Sequence, residues 1–245
     1  MSNSFKTIAT LGLTQHGKSS FLNLISATDA FKVGQGDGRS CTSRIEVIKF
    51  PDWMLISGES TEVRGFDSPG LDDPCMRITD EERKSHVQLT MGELGSRHVD
   101  VLFIIQSIAE ASISLQNLFS RAEAIFGPNA LQSAVVILTK SDIVTPQALM
   151  TKLRAVEEIC SDKSVPCVLW VNCSWENGYV PISKLASQAI ELRAAISNVQ
   201  PCEVMSEDDF ERVCQHRLSD KATQRVAKRP ISHAEGDQPT KKGRK

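Results

Sequence analysis

A segment close to the N-terminus has the residue types and spacing of a phosphate-binding loop. It matches the pattern G-x-x-x-x-G-K-[ST] and reads Gly12-Leu13-Thr14-Gln15-His16-Gly17-Lys18-Ser19. Gly12 and Gly17 allow the backbone to curl, so that successive amides can point at phosphate oxygens. Lys18 has the reach to contact the β- and γ-phosphates, and the hydroxyl of Ser19 can ligate Mg²⁺. We therefore expect this loop, extended by Ser20, to bind a nucleoside triphosphate together with Mg²⁺.

A second motif has the chemistry of a metal-holding and phosphate-sensing loop. It begins 49 residues after Lys18 and reads Asp67-Ser68-Pro69-Gly70. In this role Asp67 holds Mg²⁺ through a water molecule, and the amide of Gly70 contacts the γ-phosphate. Because Gly70 has no side chain, the loop can swing when that phosphate leaves. The strand that leads into the motif, Val63–Phe66, is less apolar than a central strand usually is, and an ordinary turn is the alternative.

A third motif, Thr139-Lys140-Ser141-Asp142, is predicted to read the nucleotide base. The carboxylate of Asp142 can accept hydrogen bonds from N1–H and the 2-amino group of guanine, whereas adenine offers neither donor. Such a site discriminates by about 4–6 kcal/mol, because the wrong base would leave the carboxylate unpaired. The stem of Lys140 can lie along the base, and Thr139 completes the predicted contacts. A solvated loop is the alternative.

Two further segments carry less specific expectations. One contains three glycines and reads Gly34-Gln35-Gly36-Asp37-Gly38-Arg39-Ser40-Cys41-Thr42. Thr42 is the candidate for a second Mg²⁺ hydroxyl, so that Ser19, Thr42 and Asp67 form the predicted metal set, although Ser40 and Ser43 compete for that role. The other segment, Asn172-Cys173-Ser174-Trp175, follows the predicted strand Cys167–Val171, where a loop that contacts the edge of the base is expected. Asn172 and Ser174 are its predicted contacts.

The residues available for catalysis predict slow hydrolysis. A GTPase commonly orients the attacking water with a glutamine just after D-x-P-G, and Leu71 occupies that place. We expect turnover near or below about 10⁻⁴ s⁻¹, with Lys18, Thr42 and Gly70 as the catalytic residues. His16 is expected to be an outward-facing loop residue without a catalytic role.

These motifs must be positioned by an alternation of strands and helices. The predicted strands are Thr7–Leu13, Arg44–Phe50, Val99–Ile105, Ala134–Leu138 and Cys167–Val171. The predicted helices are Lys18–Ile25, Glu81–Leu94, Leu115–Ile125, Gln147–Ile159 and Ile182–Val199. The last three strands are continuous apolar runs, as expected for strands that are covered on both faces. The pattern predicts an α/β fold: a three-layer P-loop NTPase G domain with a mostly parallel central sheet and helices on both faces.

We expect three units along the chain: a G domain over residues 1–200, a helix within 201–219 and a disordered basic tail over 220–245. The helix, Ser206–Leu218, can be capped by Ser206 and has an apolar stripe. That stripe either packs on the G domain or binds a partner.

Composition is typical of a soluble domain. The chain has 245 residues, of which 40% are hydrophobic and 24% are charged. Its longest apolar run, Val101–Ile105, is far shorter than a membrane span. Seven cysteines are present without a C-x-x-C pair, and no secretory leader is visible, which favours reduced thiols and a cytoplasmic location.

The charges are unevenly distributed, which bears on partners. Residues 220–245 contain eight basic and three acidic residues, so the tail is +5 and the remainder of the chain −7, for a net charge of −2. The acidic body argues against nucleic-acid binding by the folded part. Lys228-Arg229 and Lys241–Lys245 fit a bipartite nuclear import signal, while a simply solvated tail or contact with an anionic surface remain open.

The chain resembles the septin-related GTPases of the avirulence-induced, immunity-associated (AIG-type) family, within the translation-factor class of P-loop GTPases. The resemblance covers about residues 5–200. It rests on the glycine-rich stretch that ends in Ser40-Cys41-Thr42, on Asp67-Ser68-Pro69-Gly70-Leu71-Asp72, and on Ile125–Leu131 before Thr139–Asp142. It implies nucleotide-dependent pairing of G domains across the nucleotide face, where Arg39 is either a solvated cation or a finger supplied to a second copy.

The motifs together predict a guanine-nucleotide-binding protein that uses GTP/GDP and Mg²⁺, hydrolyses GTP slowly and acts as a switch. Its expected partners are a second copy of the chain and a protein effector. A nucleotide-held scaffold that barely hydrolyses, as septins do, is the first alternative. An ATP-using P-loop enzyme is the second.

Overall fold

The computed structural model describes residues 5–26, 30, 31, 33, 45–51, 62–72, 78–109, 113–170 and 182–213, apart from the side chains of Pro51, Ile113, Ser114, Asp142 and 182–186. All structural statements refer to these residues. The candidate site residues Thr42, Asn172 and Ser174 lie outside the description, as do Arg39 and residues 214–245.

Strands and helices alternate as the sequence pattern predicts. The strands are β1 (Phe5–Leu11), β2 (Glu46–Pro51), β3 (Glu62–Asp67), β4 (His98–Val99), β5 (Val101–Ser107), β6 (Ala134–Thr139), β7 (Cys167–Leu169) and β8 (Cys202–Glu203). The helices are α1 (Lys18–Ser26), α2 (Asp80–Leu94), α3 (Ile113–Phe126), α4 (Pro146–Asp162), α5 (Ile182–Ser197) and α6 over residues 207–213.

The main sheet has six strands in the order β2-β3-β1-β5-β6-β7. All neighbours are parallel except β2, which runs antiparallel to β3 at the edge. Because β1, β3 and β6 are parallel, their carboxyl ends meet at one edge of the sheet, where ligands bind in such folds. The three motifs follow these three strands. The predicted α/β fold with a mostly parallel central sheet is confirmed.

Helices cover both faces of the sheet and bury a separate apolar cluster on each. Alternate residues of β5 point to opposite faces, as the period of a strand requires. Phe103 and Ile105 join a cluster with residues of α1 and α5. Leu102 and Ile104 join another with residues of α2, α3 and α4. The continuous apolar run in β5 therefore reflects burial from two sides.

The polar strand β3 is explained by its place next to the edge strand. The guanidinium of its Arg64 lies 3.4 Å from the centroid of the Phe5 ring. The same group donates a hydrogen bond of 2.6 Å to Glu62. This paired charge is accommodated on β3 because Arg64 is only partly buried.

Two strand predictions are corrected by local hydrogen bonding. The predicted strand Thr7–Leu13 ends at Leu11, because the chain curls into the phosphate loop at Gly12. The predicted strand Val99–Ile105 divides at Asp100. The carboxylate of Asp100 accepts from the amide of Thr7 at 2.7 Å, and its own amide donates to the Thr7 carbonyl at 2.8 Å. This turn leaves β4 to pair with β8 in a small second sheet.

The segment after α5 packs on the sheet domain. Val204 and Met205 are buried in the cluster shared with α2 and α3, and Phe210 packs against it. Ser206 accepts a hydrogen bond of 3.2 Å from the amide of Asp209, which caps α6. Of the two alternatives for the apolar stripe, the described residues show packing on the domain. Within the described part of the chain, no helix has the length and apolarity to cross a membrane.

Candidate nucleotide site

The phosphate-loop sequence folds into a tight curl between β1 and α1. At Gly12 a Cβ would lie 2.4 Å from the carbonyl oxygen of Ile105, so only glycine fits against β5. Gly17 and Gln15 have positive φ angles of 90° and 63°, which reverse the chain twice within a few residues. Both glycines of the pattern are thus required by the backbone, one for close approach and one for conformation.

Lys18 lies at the centre of this curl. It is 6% exposed. Its Nζ donates to the carbonyls of Gly12 at 3.2 Å and Leu13 at 2.9 Å. An ammonium group held among backbone carbonyls at the start of α1 is positioned to meet an anion, where the positive end of the helix adds to the attraction.

Two oxygen-bearing side chains meet beside the loop. The hydroxyl of Ser19 donates to Oδ2 of Asp67 at 2.6 Å, and Thr10 donates to Oδ1 at 2.9 Å. Asp67 is fully buried. A hydroxyl beside a carboxylate is a ligand set for a hard cation such as Mg²⁺, which completes its shell with phosphate and water. In the described part of the chain, no three His, Cys, Asp or Glu side chains gather into a further metal cluster.

The prediction that His16 faces outward is wrong. His16 is 4% exposed, and its Nδ1 accepts a hydrogen bond of 3.3 Å from the amide of Ser107 at the end of β5. Its carbonyl accepts from the hydroxyl of Thr139 at 2.8 Å. His16 therefore ties the phosphate loop to β5 and to the base-reading motif, which explains its burial in a loop whose sequence pattern leaves this position free.

The D-x-P-G loop lies directly on the phosphate loop. The amide of Leu71 donates to the Gly12 carbonyl at 3.2 Å. The hydroxyl of Ser68 donates to the Thr10 carbonyl at 2.8 Å. At Gly70 a Cβ would lie 2.1 Å from Oγ1 and 2.7 Å from Cα of Thr14. Glycine is thus required here by contact between the two loops, in addition to the mobility predicted for it.

Asp72 adds a charge at the same contact. Its Oδ1 accepts from the Thr14 amide at 2.6 Å. Partial burial acts to raise the pKa of the Asp72 carboxyl, but the hydrogen bonds from Thr14 outweigh it and hold the pKa below its ordinary value. The sequence pattern assigns Asp72 no role of its own.

Leu71 points away from the phosphate loop. Its side chain is 6% exposed, and it lines an apolar cavity with Ile78, Val87 and Phe126 between the sheet and α2 and α3. An apolar side chain that lines such a cavity has no means of orienting water, as expected for leucine.

The base-reading motif follows β6 at the same sheet edge. Thr139 is buried and linked to His16 as described above. Lys140 adopts a left-handed conformation with φ of 59°, and Ser141 opens a short 3₁₀ turn that contains Asp142. The side chain of Asp142 lies outside the described residues, so its role stays a prediction. Ser20 is buried in α1.

Two arginines that the sequence analysis did not single out hold the D-x-P-G loop. Arg83 donates to the carbonyls of Pro69 at 3.3 Å and Gly70 at 3.2 Å. Arg121 donates to the carbonyl of Leu71 at 3.2 Å. Neither stands in a recognisable motif, and only the packing of α2 and α3 against the loop reveals them.

Several solved structures have folds similar to that of this chain. The chain is similar to Toc33 from Arabidopsis thaliana in complex with GDP and Mg²⁺, with a TM-score of 0.58 and 16% identity over 82% of this chain and 88% of that chain. It is similar to a structure described as showing that dimerization is important for the GTPase activity of the chloroplast translocon components atToc33 and psToc159, with a TM-score of 0.51 and 16% identity over 82% of this chain and 86% of that chain.

A third similar structure is the bacterial selenocysteine-specific elongation factor EF-Sec. The TM-score is 0.52 and the identity 13%, over 80% of this chain and 28% of that chain. No protein-family model matches the sequence, and no curated protein matches it. At these identities the likeness shows the fold alone, a mostly parallel sheet with helices on both faces.

Proposed function

We propose that this chain binds GTP and GDP with Mg²⁺ and hydrolyses GTP slowly to GDP and phosphate, acting as a nucleotide-dependent switch. The observation that carries the proposal is the meeting, at one sheet edge, of the loop curled around Lys18 with the Ser19–Asp67 oxygen pair. The similar Toc33 structure is described as a complex with GDP and Mg²⁺, which supports the choice of ligand.

The residues of the phosphate loop and of the D-x-P-G loop have distinct proposed roles. Amides of residues 12–20 and the ammonium of Lys18 would bind the phosphates. Ser19 and Asp67 would hold Mg²⁺, with Thr42 as a further hydroxyl ligand. When bound, Mg²⁺ neutralises charge on the phosphate oxygens. Gly70 already lies against Thr14, and its amide would contact the γ-phosphate and distinguish GTP from GDP.

We propose guanine specificity from the base-reading motif. Thr139 is already fixed to the phosphate loop through His16, so the turn that follows is held at a set distance from the phosphates. Asp142 and Lys140 would contact the base, with Asn172 and Ser174 at its edge. A carboxylate selects guanine because it accepts from two donors that adenine lacks.

Hydrolysis is proposed to be slow because Leu71, buried in an apolar cavity, occupies the place of a water-orienting glutamine. Self-association in the GTP form, through the nucleotide face as the AIG-type resemblance implies, would be the main route to faster turnover. A similar structure is described as one in which dimerization matters for GTPase activity, which supports this part of the proposal.

Buried Leu71 also favours a second candidate, a septin-like scaffold that is held together by nucleotide and barely hydrolyses it. Light scattering of the protein with GTP, with GDP and without nucleotide separates the two. A switch changes its oligomeric state between GTP and GDP, whereas a scaffold stays assembled with either nucleotide and loses its assembly without one.

The central test is calorimetric titration with GTP, GDP and ATP, with and without Mg²⁺. We expect GTP and GDP to bind, Mg²⁺ to strengthen GTP binding, and ATP to bind far more weakly. Lys18→Ala should lose GTP binding, while Lys163→Ala, at the exposed end of α4, should behave like the wild type. Equal binding of ATP and GTP would favour the ATP-using alternative.

We further propose a cytoplasmic location, with nuclear import through the basic residues of 220–245. Fusing this segment to a passive fluorescent reporter tests the import signal. Nuclear accumulation of the reporter supports it, whereas a uniform distribution or accumulation at membranes refutes it.

A further inference from the structure

Three successive carbonyls of the D-x-P-G loop accept hydrogen bonds from arginines. The guanidinium of Arg83 reaches Pro69 and Gly70 with its two terminal nitrogens, at 3.3 Å and 3.2 Å. Arg121 reaches the next carbonyl, that of Leu71, at 3.2 Å. Arg83 is 7% exposed, so its fork is a built part of the interior. A planar guanidinium suits this task, because it offers donors in a fixed geometry that a lysine lacks.

These contacts determine where the amides of the loop point. In a planar trans peptide the N–H and C=O of one unit lie on opposite sides of the chain. With the Gly70 carbonyl held by Arg83, the Leu71 amide must point the other way, and it does so, donating to Gly12 in the phosphate loop at 3.2 Å. By the same rule, holding the Pro69 carbonyl to Arg83 turns the Gly70 amide away from α2.

A second pair of charges braces the arrangement. Arg121 on α3 binds both carboxylate oxygens of Asp80, with its Nε at 3.1 Å and 3.2 Å and its Nη2 at 2.6 Å from Oδ1. Asp80 is the first residue of α2, three residues before Arg83. The start of α2 is therefore tied to α3, which fixes the base from which Arg83 reaches the loop.

We propose that Arg83 is a positioning residue for γ-phosphate recognition, which aims the Gly70 amide by holding the Pro69 and Gly70 carbonyls, with Arg121 and Asp80 as its brace. The proposal rests on the proposed function, since it assigns a role toward GTP. Under this proposal Arg83 contributes to the affinity for GTP but not to the affinity for GDP, because GDP has no γ-phosphate for the Gly70 amide to contact. The device also links the nucleotide to α2 and α3, two helices that contact each other on one face of the sheet.

The test compares the affinities of a non-hydrolysable GTP analogue and of GDP, both with Mg²⁺, measured by calorimetry. Arg83→Met keeps the length of the stem but removes the donors. We expect the affinity for the analogue to fall about tenfold to hundredfold, the range of one or two charge-assisted hydrogen bonds, with GDP affinity changed by less than about threefold. Arg83→Lys, with a single point of contact, should recover only part of the loss. Arg154→Met, on the exposed side of α4, is the matched control and should bind both as the wild type does.

The outcomes distinguish a failure of this proposal from a failure of the proposed function. Wild-type protein that binds neither nucleotide refutes the proposed function itself. Wild-type binding together with an equal loss of both affinities in Arg83→Met means a purely structural arginine and overturns the inference, as does full retention of analogue binding. Should Arg83→Met fail to fold by circular dichroism, Arg83→Lys and Asp80→Asn carry the same comparison. Selective loss of the analogue then supports the proposal, and equal loss or no loss overturns it.

Discussion

At the residue scale, the side chains of the candidate site form hydrogen bonds to each other and to the backbone. Ser19 bonds to Asp67, and Lys18 bonds to the carbonyls of its own loop. Each of these groups therefore has hydrogen-bond partners inside the protein, as buried polar groups require. In the proposed function, phosphate oxygens and Mg²⁺ would take the place of some of these partners. The donors and acceptors that hold the loop in shape are thus the ones proposed to bind the ligand.

The role of Asp142 leads to a prediction about base specificity. Asp142→Asn replaces one carboxylate oxygen by an amide N–H, which can donate to the additional ring carbonyl of xanthine. We expect the variant to lose GTP binding and to bind xanthosine triphosphate, measured by competition for a fluorescent nucleotide. Asp162→Asn at the exposed end of α4 is the control and should keep the preference for GTP. An Asp142→Asn protein that still prefers GTP would contradict the assignment of Asp142 to the base.

A second residue-scale prediction concerns the pH dependence of stability through Asp72. The hydrogen bonds from Thr14 lower the pKa of this carboxyl in the folded state, against the raising effect of burial. The ionised form is then favoured by folding, so its stabilisation is present above the unfolded pKa of about 3.9 and is lost as the pH falls through the folded value. The difference in unfolding free energy between wild type and Asp72→Asn should be constant near neutral pH and shrink toward zero in acid.

Urea unfolding from pH 3 to pH 8 measures this difference. Glu158→Gln on α4, at an exposed residue, serves as the control for a general effect of removing one negative charge. A difference between wild type and Asp72→Asn that grows as the pH falls would have the wrong sign and would refute the assignment.

At the element scale, helix α2 begins and ends where its sequence dictates. Thr79 and Glu82 form reciprocal side-chain bonds to each other's amides, at 3.2 Å and 2.8 Å. Gly95 ends the helix in a left-handed conformation with φ of 72°. Because both ends of α2 are fixed, they determine which of its residues face the D-x-P-G loop and which face α6.

The contact between α2 and α6 yields a prediction about stability. At Gly92 a Cβ would lie 2.5 Å from Cγ1 of Val213 on α6. We expect Gly92→Ala to destabilise the protein by forcing α6 away. In a Val213→Ala background the same change should stabilise it by about 0.5–1 kcal/mol, because alanine favours a helix interior over glycine. Chemical unfolding of the four proteins measures both effects, and a Gly92→Ala effect independent of residue 213 would contradict the contact.

The elements of the sheet were predictable from the sequence because apolar runs, glycines and capping residues are local signals. The phosphate loop, β5 and β6 follow from such signals. The burial of His16 could not be predicted, since it depends on the amide of Ser107 brought close by the sheet. Arg83 presents the same problem: in the sequence it is one of several charged residues of α2, and only the fold places it under the D-x-P-G loop. The division at Asp100 likewise depends on its bonds to Thr7, distant in sequence.

At the scale of the whole molecule, the parallel sheet brings three loops to one edge, which is the candidate nucleotide face. None of the side chains described there fills the place of the water-orienting glutamine, because Leu71 is turned into the apolar cavity. If the proposed hydrolysis is accelerated, we expect the accelerating group to come from residues outside the described ones or from a second molecule. The AIG-type resemblance implies the second source, with Arg39 as the candidate finger.

The two sources differ in how turnover depends on protein concentration. If a second copy supplies the group, the fraction of paired molecules rises with concentration, and the rate per molecule must rise with it until pairing saturates. We expect such a rise with GTP when phosphate release is measured over a range of protein concentrations in excess nucleotide. Arg39→Ala should flatten the curve at the basal rate, while Arg154→Ala on the exposed side of α4 should leave it unchanged. A rate per molecule that stays flat for the wild type rules out activation by self-pairing, because an intramolecular group acts equally well at any dilution.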